Sequence, residues 1–183
     1  MRRTSCIFLV CAAMSFPLRA KTKDPSNQEQ FLIILEPKWE DLDKNKKNKI
    51  LFEDKWFLAG DIIFKKKTPE AISLQEIHLL WKGKELKNII GSLYEKSGQI
   101  DFMPIEKYLI CDSKWKSSEQ KLILRFPEPR SLYAVNTLSL VITAPKEAVN
   151  ILKNGYFELE ASTLPTQYQE YAQENNLKLA LGK

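Results

Sequence analysis

The run LQEIHLLW at residues 74–81 decides the fold class. Ile77, Leu79 and Trp81 recur at every second position, which places them on one face of a strand and sets His78 on the other. Similar runs flank it. FLIIL at 31–35, closed by Pro37, KILFEDKWF at 49–57 and AGDIIFKK at 59–66 precede it, with Gly60 marking a bulge or bend. IEKYLIC at 105–111, QKLILRF at 120–126, TLSLVIT at 137–143, YFELEA at 156–161 and LKLAL at 177–181 follow it.

Turn signals separate these runs: the charged stretch DLDKNKKNK at 41–49, Thr68-Pro69-Glu70, Lys82-Gly83-Lys84, and the hydrophilic stretch SKWKSSEQK at 113–121. Leu86, Ile89, Ile90, Leu93 and Tyr94 fit a helical stripe. Gly91 would cost such a helix about 1 kcal/mol, and Ile89, Gly91 and Leu93 also alternate; with strands on both sides, the segment is read as a strand. One helix is expected, opened by Pro145 and running to Lys153, with Gly155 beyond its end. The polar Tyr/Gln/Glu stretch after Pro165 is left unassigned. Many short strands and one helix predict an all-β chain, an antiparallel β-sandwich of immunoglobulin-like or C2-like style. A Cys…Trp…Cys immunoglobulin core is disfavoured because one cysteine remains once the leader is set aside.

That leader is residues 1–20. Arg2 and Arg3 precede the apolar run Cys6–Met14, and Ser15, Pro17 and Ala20 lead into polar sequence. This is the order of a secretory signal peptide, and its apolar part is too short to span a bilayer. Cleavage is expected after Ala20, although Leu18 is large for such a site. Residues 21–30 then form a flexible N-terminal segment, and 31–183 a single β-sandwich domain. The expected location is secreted or periplasmic, in a bacterial host.

Removing the leader changes the charge argument. The chain of 183 residues carries 28 Lys+Arg and 23 Asp+Glu; subtracting Arg2, Arg3 and Arg19 leaves 25 against 23, a net charge of +2. Nucleic-acid binding is therefore not expected. Cys6 and Cys11 leave with the leader, so Cys111 stands alone and is read as a buried small hydrophobe.

Catalytic templates fail one by one. His78 is the sole histidine, which excludes a multi-histidine metal site and makes any Ser-His-Asp triad depend on a mid-strand residue. Ser113 with Lys116 and Ser118 with Lys121 match Ser-x-x-Lys at chance frequency. Asp41, Asp43 and Asn45 imitate the start of a calcium loop, but Lys46 replaces its glycine and Phe52 its closing glutamate. Six glycines in the whole chain cannot assemble a phosphate-cradling loop. No cofactor, metal or catalytic residue is expected. A carboxylate enzyme drawn from Asp101, Glu106 and Asp112 is the weakest reading, since the last two stand six residues, about 20 Å, apart along a strand.

The distinctive feature is basic–aromatic adjacency: Lys38-Trp39, Lys55-Trp56, Lys114-Trp115 and Trp81-Lys82. Alternation explains each pair with Trp inward and Lys outward. The functional alternative is an exposed Trp115, with Lys114 and Lys116 beside it, seating a sugar or a lipid surface. The leading expectation is an exported, non-catalytic sandwich that binds a protein partner by its surface. A carbohydrate- or membrane-surface module using Trp and Lys is the alternative.

Overall fold

The computed structural model describes residues 30–42, 54–96, 102 and 104–182. The leader at 1–20, nearly all of the 21–30 segment, most of the 41–52 calcium-loop imitation and Asp101 lie outside the described residues. The described chain is all-β and antiparallel, as the alternation predicts. Its strands are β1 (Phe31–Asp41), β2 (Asp54–Lys66), β3 (Ile72–Lys82), β4 (Ile90–Glu95), β5 (Leu109–Lys116), β6 (Lys121–Leu132), β7 (Val135–Pro145), β8 (Tyr156–Leu159) and β9 (Lys178–Ala180). Two helices join them, α1 (Ala148–Lys153) and α2 (Thr166–Asn175).

The hydrogen-bonded order is β1-β2-β7-β4-β5-β6-β3-β8-β9. β5 serves both walls: Leu109 to Asp112 pair with β4, and Ser113 to Lys116 pair with β6. β9 returns against β1, so the sheet is nearly closed and barrel-like. One apolar core fills it. Ile33, Ile62, Phe64, Leu138, Leu140 and Leu93 enter from one wall, and Leu74, Ile77, Leu79, Leu122, Leu124 and Phe157 from the other. The alternation read at 74–81 is therefore the alternation that fills the core.

Several boundaries differ from the sequence expectation, each for a local reason. β1 runs through Pro37 to Asp41 because Pro37 sits at a bulge on a terminal strand, where a missing N–H breaks no ladder. Residues 54–66, which include parts of both runs read at 49–57 and 59–66, form one strand, with the anticipated bulge between Leu58 and Gly60; residues 49–53 lie outside the described residues. A Cβ on Gly60 would stand 2.5 Å from the Glu36 carbonyl oxygen and 2.6 Å from Leu179 Cδ1, so closure of the barrel requires glycine there. At 86–94, Asn88 adopts φ 55°, which interrupts any helix; Leu86 and Ile89 are buried and the strand begins at Ile90. β5 starts at Leu109, after a 3-10 turn over Glu106–Tyr108, and continues through Trp115. Residues 113–116 are thus strand and not turn.

The unassigned polar stretch after Pro165 is helix α2. It buries Tyr168 and Ala172, one turn apart, and Tyr168 meets Phe31 and Phe64 edge-on at 5.5 and 5.4 Å. Asn176 ends the helix in the left-handed region at φ 44°.

Candidate functional site

β5 and β6 run side by side from Lys116–Lys121 up to Ser113–Leu124 and then part. The sequence dictates the parting. Beyond Arg125 comes Phe126-Pro127-Glu128-Pro129, and the two prolines remove donors that a continued ladder would use. On its other side this segment is a bulge: Leu74 pairs with Arg130 and Glu76 with Arg125, so Gln75 alone faces four residues. Residues 126–129 therefore have no ladder partner among the described residues. Across the gap, Tyr94 pairs with Leu109 and Leu93 with Cys111, leaving Ile110 as the extra residue of a second bulge.

The result is a groove of about 490 Å³ lined by Tyr108, Leu109, Ile110, Phe126, Pro127 and Pro129, with Lys107, Glu95, Glu128 and Arg130 at its rim. Arg130 Nη2 holds Glu95 Oε1 at 2.6 Å across it. The Arg130 Nε is buried without a hydrogen-bond partner. Lys107 Nζ lies 4.6 Å from the centre of the Tyr108 ring. Apolar side chains and both signs of charge line the groove, and residues 126–129 present backbone without a ladder partner among the described residues.

The residues singled out from sequence lie elsewhere. Trp115 sits within β5, partly buried against the core, with its indole Nε1 buried and unpartnered. Lys114 is exposed on the opposite face of the strand, and Lys116 Nζ bonds Glu119 Oε1 at 2.6 Å. Trp81 packs on Phe157 at 5.1 Å and Trp39 is partly buried on the core side, as alternation requires. Trp56 lies on the opposite face from the buried Phe57, so at that pair the inward residue is Lys55 and not the tryptophan.

His78 lies on the outer face of β3 between two carboxylates. Its Nδ1 is 3.1 Å from Glu160 Oε2, and its Nε2 is 3.1 Å from Glu76 Oε1 without the alignment of a hydrogen bond. Cys111 is buried, and burial, with the Asp112 charge adding to it, pushes its thiol up to about 12. It therefore stays protonated and non-nucleophilic at neutral pH. Ser113 Oγ accepts the Gly91 N–H at 2.7 Å, and Asp112 accepts from Ser92 Oγ at 2.6 Å. Glu106 is exposed in its 3-10 turn, apart from both. These contacts are structural ties between strands, and they do not converge on a common point.

Sequence reasoning passed over Asp61. It is 1% exposed on the outer face of β2, where it accepts hydrogen bonds from Lys38 Nζ at 2.7 Å, Lys96 Nζ at 2.9 Å and Ser139 Oγ at 2.7 Å. Burial alone would raise its carboxyl; the three donors outweigh that and hold it below the usual carboxylate range. The signal was an acid in the middle of the apolar run LAGDIIF. No group of three or more His, Cys, Asp or Glu side chains that could hold a metal occurs among the described residues, and none of their helices is long and apolar enough to cross a membrane. Comparisons with protein families, curated proteins and solved structures return no match.

Proposed function

We propose that this chain is an exported, non-catalytic β-sandwich that binds a protein partner, and that the seam between β5 and β6 takes an extended segment of that partner. The observation that carries the reading is the parting of the two strands. It leaves a groove between residues 126–129, which have no ladder partner among the described residues, and the edge of Leu109–Asp112 that faces away from β4. An extended guest gains main-chain hydrogen bonds from such edges and side-chain selectivity from the pockets between them. The four residues 126–129 offer a track of about 13 Å at strand rise. That is a short site, suited to a guest of a few residues.

Other features support the non-catalytic part. The one histidine is held between carboxylates, and the one cysteine outside the leader is a buried thiol. Export rests on the basic-apolar-small order of residues 1–20.

The test is selection of peptides from a random display library on the purified protein, followed by N-methylation of alternate amides in the best binder. Extended binders should weaken at least tenfold on N-methylation, and a photoreactive residue replacing the exposed Glu128 should crosslink to them. Peptides that tolerate N-methylation, that label elsewhere, or that cannot be selected at all would overturn the reading. The protein itself is unaltered in the first arm, so misfolding cannot imitate the result.

A further inference from the structure

A second groove, at one end of the nearly closed sheet, is built from different chemistry and stands independently of the seam. Its floor is Trp39 stacked on Phe57, ring centres 4.4 Å apart and planes 10° apart. The bulge between Pro37 and Glu40 sets Trp39 beside Phe57 at the ends of β1 and β2. One wall is the approach to α1 and the helix itself. Lys146, Val149, Asn150 and Lys153 follow the i, i+3, i+4, i+7 spacing of one helix face, while Ala148 and Leu152 enter the core. Lys55 and Asp41 complete the lining of a space of about 360 Å³.

We propose that this groove binds an acidic saccharide, a sugar whose ring carries a carboxylate or sulfate. Among the described residues, three lysines and one carboxylate line the groove, a positive balance that favours an anion. An indole lining the groove offers an apolar surface for the C–H face of a sugar ring. Asp41 and Asn150 place acceptors and a donor beside it, which hydroxyl groups use and a plain inorganic anion does not. A bilayer fits poorly: the site is concave, Trp39 is partly buried and does not protrude, and Asp41 repels anionic headgroups.

The test uses the purified protein on an array of uronate, sialylated and sulfated oligosaccharides with their neutral counterparts, followed by titration calorimetry on the best binder. Inorganic phosphate and phosphatidylserine vesicles serve as competing probes. An acidic oligosaccharide should bind at least tenfold more tightly than its neutral counterpart. The doubly substituted Lys146→Met/Lys153→Met protein, in which both changes lie at exposed positions, should weaken it at least tenfold. Trp39→Leu should also weaken it, with thermal unfolding as the check that the fold survives. Absence of any acidic glycan among the binders overturns the proposal. So does equal binding of the neutral sugar, or a better response to phosphate or vesicles that Trp39→Leu leaves unchanged.

Discussion

The outer faces of the two walls use the same side-chain types and put them under different conditions. On the β1-β2-β7-β4 wall, the carboxylate of Asp61 is 1% exposed and gathers two lysines and a serine. On the β6-β3-β8 wall, Glu160 also holds a cation, Lys121 at 3.0 Å, and a ring nitrogen of His78, yet its side chain is 32% exposed. What separates them is cover. A second apolar cluster lies over the first wall, where Leu58, Tyr94 and Val141 pack with Leu42, Phe102, Tyr108 and Leu109. The Asp61 carboxylate itself is shut away from water and the Glu160 carboxylate is about a third open to it, so equal distances do not mean equal energies.

The largest effect expected from this contrast is at Asp61. Asp61→Asn leaves Lys38 and Lys96 facing a neutral amide beneath the cluster. Removing one partner of a buried pair typically costs 3–5 kcal/mol. Both lysines are about a quarter exposed, at 27% and 26%, and can turn their heads to water, so about 3 kcal/mol is expected here. Urea unfolding at pH 7 measures it. A loss below about 1 kcal/mol, the range of surface pairs, would erase the distinction between the two faces.

The same residue sharpens the contrast through pH. Its folded-state pKa lies below the ordinary 3.8, so the unfolded chain binds the proton more readily than the folded one. The stability Asp61 contributes is thus present in full well above 3.8 and is lost as pH falls through the lower folded value. The Asp61→Asn protein lacks this titration. Between pH 5 and pH 2.5 the parent should lose more stability than the variant, and the two unfolding midpoints should converge. Parallel curves would place the acid-sensitive contribution elsewhere.

Much of this architecture was legible in the sequence because strand alternation is a local signal. Ile77, Leu79 and Trp81 announced their inward face, and Gly60 announced its bulge. What escaped depended on distant partners. Pro37 reads as a stop until the strand beside it is known, since only an edge or a bulge tolerates the missing N–H. Helix α2 carries its inward face on two residues, Tyr168 and Ala172, and its stability comes from docking against Phe31 and Phe64, more than a hundred residues earlier in the chain. Neither groove was legible, because each joins segments far apart in sequence: residues 108–110 with 126–130 in one, Trp39 with α1 in the other. Among the basic–aromatic pairs, nothing in the sequence ranked Trp39 above Trp115 as a groove residue. Both indoles pack against the core; what sets Trp39 apart is its place, stacked on Phe57, in the lining of the groove.

The smallest effect tests the exposed face. Glu160 has its burial outweighed by hydrogen bonds from Lys121 and His78, which hold its carboxyl below the usual range. Glu160→Gln removes the charge but keeps an acceptor oxygen for His78, and Lys121 retains Glu119 at 3.2 Å. Lys121 therefore keeps a carboxylate partner and His78 an acceptor. The expected loss is about 0.5 kcal/mol, vanishing in 1 M salt, where the screening length is about 3 Å. Asp61→Asn, run beside it, should keep most of its larger loss in the same salt, because the Asp61 carboxylate itself is 1% exposed and screened far less than a surface group. If the two substitutions lost the same energy with the same salt dependence, the apolar cluster would not be insulating Asp61, and geometry alone would set both energies.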